Sequence, residues 1–310
     1  MELLLAQPRG FCAGVVRAVE AVECALRLHR APVYVFHEIV HNPHVVADLR
    51  ARGAVFVDRI EDIPPGAVVV FSAHGVSRDV VRRARARRLR TVDATCPLVT
   101  KVHMQLARYA RLGFALVMIG HRGHEEVEGT IGSVDAEVHL VSTVGDVERL
   151  PILPAARVAY VTQTTLSLDD TREVIEALQR RWPGIAGPDV DDICYATQNR
   201  QRAVRALAQQ VDLVLVVGAR NSSNSNRLRE VAEQHGVPAR LIEDAVEIEP
   251  AWLDGVRRVG LTAGASAPEA IVDRVRARLR ELGVGRVREL DGPQEYLVFK
   301  LPHELNLRAA

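Results

Sequence analysis

Three cysteines, each set between a strand-like run and a helix-like one, constrain this chain more than any other feature. They stand in Gly10-Phe11-Cys12-Ala13-Gly14, Asp93-Ala94-Thr95-Cys96-Pro97 and Asp192-Ile193-Cys194-Tyr195-Ala196. At such a junction the N–H groups of the coming helix are unpaired and its dipole is positive, which at Cys96 favours the thiolate. A lone buried cysteine is usually a small hydrophobe. Three at equivalent junctions point instead to ligands of one shared centre. Cys24 falls within a helical pattern with no turn chemistry around it and reads as a core residue.

The surrounding pattern alternates strand and helix. Short apolar runs at Glu2–Ala6, Val33–Phe36, Val55–Val57, Val68–Phe71, Phe114–Ile119, Val158–Thr162, Val211–Val217 and Val259–Thr262 are strand candidates. Amphipathic stretches follow them, from about Val15 to Leu28, Pro43 to Arg52, Arg78 to Arg88, Leu98 to Arg111, Ser167 to Trp182 and Thr197 to Gln210. Alternation of this kind predicts α/β units on parallel sheets. The 310 residues, 48% of them apolar, suffice for more than one such unit.

The polar motifs fall after the strands, where ligands sit in open α/β sheets. Counted by junction, they repeat. Cys12, His41 and His74 come first, then Cys96, His124 and Thr164, then Cys194, Asn224 and Ser266. Each third supplies one thiol and two hydrogen-bonding groups, so the expected units are 1–95, 96–192 and 193–283, with 284–310 a tail packing back on the body. Residue similarity between the thirds is weak, and the repeat is architectural.

Several function classes drop out. No G-x-G-x-x-G follows a strand, which argues against a dinucleotide site, and no Walker motif is present. No C-x-x-C pair exists, and a net charge of +1 gives no general attraction to nucleic acid. No run approaches the roughly 18 apolar residues of a membrane span, and a cytoplasmic protein is expected. The arginine-rich stretch Arg82–Arg88 reads as a solvated helix face, with docking of an acidic partner as the sharper alternative.

Three thiolates without a comparable fourth suit an iron–sulfur cluster with one iron left open, since clusters normally take four cysteines. Zinc held by three cysteines and a histidine is the rival, weakened by the wide spacing of the ligands. An iron–sulfur sensor binding a phosphorylated metabolite without turnover is a third reading. His41, His74 and His124 with Ser222, Ser223, Asn224 and Ser266 stand next to helix starts. Such hydroxyls, amides and imidazoles, with free N–H groups, make an anion site suited to phosphate or diphosphate. Glu126 is the candidate proton donor, its pKa expected to rise through burial beside an anion, and the Thr164 hydroxyl can relay or position the proton.

Further stretches complete a family pattern: His37-Glu38-Ile39-Val40-His41-Asn42, Ser72-Ala73-His74-Gly75-Val76-Ser77, Glu126-Val127-Glu128-Gly129, Gln163-Thr164-Thr165, Cys194-Tyr195-Ala196-Thr197-Gln198-Asn199-Arg200, Asn221-Ser222-Ser223-Asn224-Ser225-Asn226-Arg227 and Thr262-Ala263-Gly264-Ala265-Ser266. In this order the chain resembles the LytB/IspH family of 4-hydroxy-3-methylbut-2-enyl diphosphate reductases along essentially its whole length. The resemblance implies three similar α/β domains around a pseudo-threefold axis with a central cavity. It implies reductive dehydroxylation of an allylic diphosphate to isopentenyl and dimethylallyl diphosphate, the last step of the non-mevalonate isoprenoid route. It further implies one 4Fe-4S cluster on Cys12, Cys96 and Cys194 with an open iron site, served by a ferredoxin or flavodoxin-type electron donor. Substrate binding would fall to His41, His74, His124, Thr164, Ser222, Ser223, Asn224 and Ser266. Catalysis would rest on Glu126 with His124 and Thr164. Glu125 departs from the family pattern, where proline is usual, and is expected to place a charge beside His124. Arg220 stands where lysine is common, and Tyr296–Pro302 matches only loosely.

Overall fold

The computed structural model describes residues 1–188 and 193–305. The expected boundary at 192 and the end of the expected tail, 306–310, therefore lie outside the described residues. All strand pairings between named strands are parallel, and the strands form three sheets. Two compact units are present. One comprises Met1–Val15, His41–Val45 and Tyr195–Val298; the other comprises Val16–Val40, Val46–Cys194 and Phe299–Ala310.

The strands are β1 (Glu2–Leu5), β2 (Val33–Phe36), β3 (Ala54–Val57), β4 (Val68–Phe71), β5 (Arg90–Asp93), β6 (Ala115–Ile119), β7 (Val138–Val141), β8 (Val158–Thr162), β9 (Leu213–Val217), β10 (Ala239–Ile242), β11 (Arg258–Ala263) and β12 (Arg286–Glu289). The helices are α1 (Ala13–His29), α2 (Pro43–Ala51), α3 (Arg78–Ala86), α4 (Pro97–Arg111), α5 (Glu125–Ile131), α6 (Val144–Glu148), α7 (Leu168–Arg181), α8 (Tyr195–Ala208), α9 (Ser223–Gln234) and α10 (Glu269–Glu281).

The first unit holds one five-stranded sheet in the order β10-β9-β11-β1-β12. Its central strands read as unbroken apolar runs because both faces are covered, as parallel sheets require. Leu3, Leu4, Val214, Leu215 and Val216 are fully buried, each worth roughly 1.5–3 kcal/mol relative to exposure. β1 pairs Leu3 with Val259 and Leu5 with Leu261, so the strand expected in the first third joins the sheet of the last third. β12, with its exposed charged edge, pairs on the other side of β1 and carries no strand signal in its sequence Arg-Val-Arg-Glu.

The second unit holds a four-stranded sheet, β3-β2-β4-β5, and a three-stranded one, β7-β6-β8. Separate apolar clusters lie on them. Phe36, Ile60, Ile63, Val69 and Phe71 form one; Val117, Ile119, Tyr160, Leu178 and Trp182 belong to the other. Among the described residues no helix is long and apolar enough to cross a membrane.

Candidate functional site

Each of the three junction cysteines is the residue immediately before a helix: Cys12 before α1, Cys96 before α4 and Cys194 before α8. Cys24 lies inside α1. All four carry thiols of intermediate exposure. The helix starts have a cause in the sequence at Cys96, where Pro97 occupies the first helical position, the one place its missing N–H costs nothing.

In the first unit the C-terminal ends of β1, β9 and β11 bring the polar junctions together. The Cys12 N–H donates to Ala265 O at 3.2 Å, tying the Cys12 loop to the end of β11. Arg200 reinforces that loop. Its guanidinium is fully buried and donates to Gly10 O at 2.8 Å, to Phe11 O at 3.3 Å and to the Glu295 carboxylate at 3.1 Å. A buried charge so compensated is costly to unpair, about 3–5 kcal/mol. No local pattern marks Arg200 for this role, because Gly10, Phe11 and Glu295 lie far away along the chain.

Ser222 caps α9, accepting from Ser225 N–H at 3.3 Å and from the Ser225 hydroxyl at 3.0 Å. Ser223 is the first residue of that helix. Ser225 is itself fully buried against β9 and β11: a Cβ on Gly264 would lie 2.1 Å from its oxygen, so only glycine admits it. Asn224 is 5% exposed; its Oδ1 accepts from Ala265 N–H at 2.8 Å while its Nδ2 has no partner. A buried amide with an orphaned donor is expensive unless a ligand supplies the acceptor. Ser266 donates to His41 O at 2.9 Å, and Asn221 Nδ2 lies 3.5 Å from His41 Nδ1. His41 precedes Asn42, whose side chain caps α2 through His44 N–H and Val45 N–H.

In the second unit the ends of β4, β5, β6 and β8 carry the remaining groups. Asp93 accepts from the Thr95 N–H at 3.0 Å and its hydroxyl at 2.5 Å, and the Cys96 N–H donates to Ala73 O at 3.0 Å. The Cys96 turn is thus stitched to the loop that bears His74. That loop is also pressed by α5: a Cβ on Gly129 would lie 2.9 Å from Gly75 O. The His74 and His124 rings meet edge to face, 5.9 Å between centroids.

His124 caps α5, its Nδ1 accepting from Glu126 N–H at 3.1 Å, which leaves the ring proton on Nε2. Glu126 is 2% exposed; its Oε1 accepts from Thr164 N–H at 2.6 Å and its Oε2 from the Thr164 hydroxyl at 2.7 Å. The carboxyl and the hydroxyl named from sequence therefore touch. Gln163, fully buried, holds both loops by accepting from His121 N–H at 3.0 Å and donating to the Thr165 hydroxyl at 2.9 Å.

Glu125, the departure from the family pattern, is the first residue of α5. Its carboxylate lies 2.8 Å from His74 Nδ1 and 3.9 Å from His37 Nδ1, so the extra charge faces His74. The physical reason is helical: Glu125 and Glu126 are consecutive on α5 and point about 100° apart. A histidinium at His74 would be paired through Nδ1 with this carboxylate and would donate from Nε2 to an anion. Glu125→Gln should raise KM for an anionic substrate by about fivefold, the equivalent of about 1 kcal/mol for a partly exposed pair, with kcat little changed. Steady-state kinetics at neutral pH check this, and an unchanged KM would remove the role.

His103, on α4, packs under the Gly75 turn, where a Cβ would come 3.0 Å from its Cε1. Burial pushes its pKa from 6.5 down to about 4, opposed only in part by Asp93. The unfolded chain thus takes up this proton first as pH falls, and stability is lost between pH 6.5 and about 4. The loss at the acid end should reach up to about 3 kcal/mol at 1.36 kcal/mol per pH unit. Urea midpoints across that range should fall in the parent and fall less in His103→Phe; equal acid slopes would exclude His103 as the cause.

A family model described as LytB protein matches residues 3–280. The chain belongs to the LytB family. Curated relatives named 4-hydroxy-3-methylbut-2-enyl diphosphate reductase include that of Bordetella pertussis, 60% identical over 309 residues, covering 100% of this chain and 95% of the relative. The similarly named reductase 2 of Burkholderia mallei is 58% identical with the same coverage. The solved E-1-hydroxy-2-methyl-but-2-enyl-4-diphosphate reductase of Plasmodium falciparum superposes with a TM-score of 0.93 at 36% identity, over 99% of this chain and 96% of that one. A second structure, described as the terminal enzyme of the non-mevalonate pathway, matches with a TM-score of 0.65 at 33% identity, over 90% and 99% of the two chains. Like the rest of the family, the chain is an α/β iron–sulfur enzyme. The chemistry of its thiols fits such a group: three cysteines, each immediately before a helix.

Proposed function

We propose that this chain reductively dehydroxylates 4-hydroxy-3-methylbut-2-enyl diphosphate to isopentenyl and dimethylallyl diphosphate, the last step of the non-mevalonate route. The observation that carries the reading is the buried Glu126–Thr164 contact on one unit together with the orphaned Asn224 amide on the other. In this reading the first is a proton device and the second an anion device, and the reductase names of close relatives support it.

The balance of the reaction is simple. An allylic C–O bond breaks, two electrons and two protons enter, and water leaves. One proton ends on the departing hydroxyl and the other on one of the two ends of the allylic system, which distinguishes the two products. A 4Fe-4S cluster, held by Cys12, Cys96 and Cys194 with one iron open, would supply single electrons and a Lewis-acidic iron. A ferredoxin or flavodoxin-type protein is the donor in this reading. In functional terms the thirds 1–95, 96–192 and 193–283 each bring one thiol and two polar junctions, whichever sheet their strands join.

The chain's own groups do the rest. His41, His74, His124, Ser222, Ser223, Asn224 and Ser266 bind the diphosphate with neutral or histidinium donors, so no lysine is required. His124 donates from Nε2 because its Nδ1 is engaged in capping α5. Glu126 stores the proton and Thr164 hands it on. Each holds the other in place, since both carboxylate oxygens are engaged by the one threonine. In anaerobic, iron-loaded protein, reduced viologen should drive consumption of the allylic diphosphate and formation of both five-carbon isomers. Protein with full iron and sulfide content that consumes none would overturn the reading.

A further inference from the structure

The second unit carries a groove of about 660 Å³ along the outer face of α4, outside the residues used above for substrate and proton. Lys101, Met104, Arg108 and Arg111 recur at helical spacing on one wall. Leu301 and Pro302 of the C-terminal segment form the opposite wall, and Arg17 lies at the end near Cys96. We propose that this groove is the docking surface for a small acidic one-electron carrier protein that reduces the chain. The proposal rests on the reductase reading and adds where the electrons enter.

Three observations favour a protein over a small anion. Lys101 and Arg111 are ten residues apart on one helix, a span of about 15 Å at 1.5 Å per residue, too long to converge on one phosphate. The row matches carboxylates spread over a protein surface. At its middle Met104 is 68% exposed, an apolar, polarisable centre inside a charged rim, the usual anatomy of a recognition patch. The groove also runs beside the Cys96 turn: its lining includes Thr95 and Pro97, the two neighbours of Cys96.

Arg17 joins these parts. It donates to Thr95 O at 2.9 Å, to Asp93 O at 3.3 Å and to Lys300 O at 2.8 Å. One guanidinium thus holds the Cys96 turn and Lys300 of the C-terminal segment together. The other basic face, on α3, is partly neutralised. Arg82 is paired with Asp79 and Arg83 with Glu61 and Asp79. Opposed charges steer encounter and set register more than they add affinity, as suits a carrier that must leave after each electron. Redox encounters of this type bury less than about 1,200 Å². In each encounter the carrier loses one electron and the chain's centre gains it, so a turnover takes two.

The test uses iron-loaded enzyme and two reductants, a reduced acidic plant-type ferredoxin and reduced methyl viologen. The triple variant Lys101→Glu, Arg108→Glu, Arg111→Glu should raise KM for ferredoxin at least about tenfold through lost steering, with viologen-driven turnover unchanged. The parent's ferredoxin-driven rate should fall with added salt, since the Debye length shrinks from about 10 Å at 0.1 M to about 3 Å at 1 M. Arg82→Glu, Arg85→Glu, Arg88→Glu, with the same change of charge, should leave both reductants' kinetics as in the parent. An unchanged ferredoxin KM in the α4 variant, or an equal rise in the α3 variant, would overturn the docking site. Failure of the parent with viologen would strike the reductase reading instead.

Discussion

Serine in place of Cys12, Cys96 or Cys194 is expected to abolish or cripple the iron chromophore in each case, and Cys24→Ser to leave it intact. The four positions differ in their place on helices. Cys12, Cys96 and Cys194 each stand immediately before a helix, and Cys24 lies within α1. Serine keeps the size but ionises too weakly to replace a thiolate ligand. The backbone at two of them is held by the protein's own groups: Cys12 N–H by Ala265, with Arg200 on the same loop, and Cys96 N–H by Ala73. Folding should therefore survive the substitutions while the centre is lost. Iron and sulfide analysis with visible absorption, alongside circular dichroism, makes the comparison. Equal loss from Cys24→Ser would overturn the three-ligand assignment.

Glu126→Gln carries the second large effect. The glutamine keeps an oxygen for Thr164 N–H and keeps the volume of a side chain that is 2% exposed, but it has no proton to give. A positioned general acid contributes roughly 10²–10⁴-fold, so kcat should fall by that order with KM little changed. Thr164→Val tests the relay. It removes the hydroxyl bound at 2.7 Å while keeping the backbone N–H, and its loss should not add fully to that of Glu126→Gln, because the two act as one device. A Glu126→Gln enzyme turning over at near-parental rate would place the proton elsewhere.

Much of the fold was legible in the chain. The bounds of β2, β4 and β8 match the apolar runs residue for residue, and Ser77, Ser167 and Ser222 cap their helices as short polar residues before a helix should. β7, β10 and β12 escaped notice. Their sequences are short or carry charge, and they are strands because a neighbour offers unpaired backbone groups. The same holds for β1, whose burial was readable and whose partners β11 and β12 were not.

The candidate site divides the same way. Local physics made the thiols, the capping serines and the capping imidazole readable, because a helix start needs particular residues within a few positions of itself. Which carboxyl meets which hydroxyl was a different matter. Glu126 reaches Thr164 across 38 residues, Arg200 reaches Gly10 across 190, and Glu125 reaches back to His74 on another loop. The sequence by itself determined the chemistry available and the junctions at which it would stand, since both depend on local backbone geometry. Only the tertiary structure decided the pairings, the support of the Cys12 loop and the groove beside Cys96, because those follow from how sheets and helices pack over long separations.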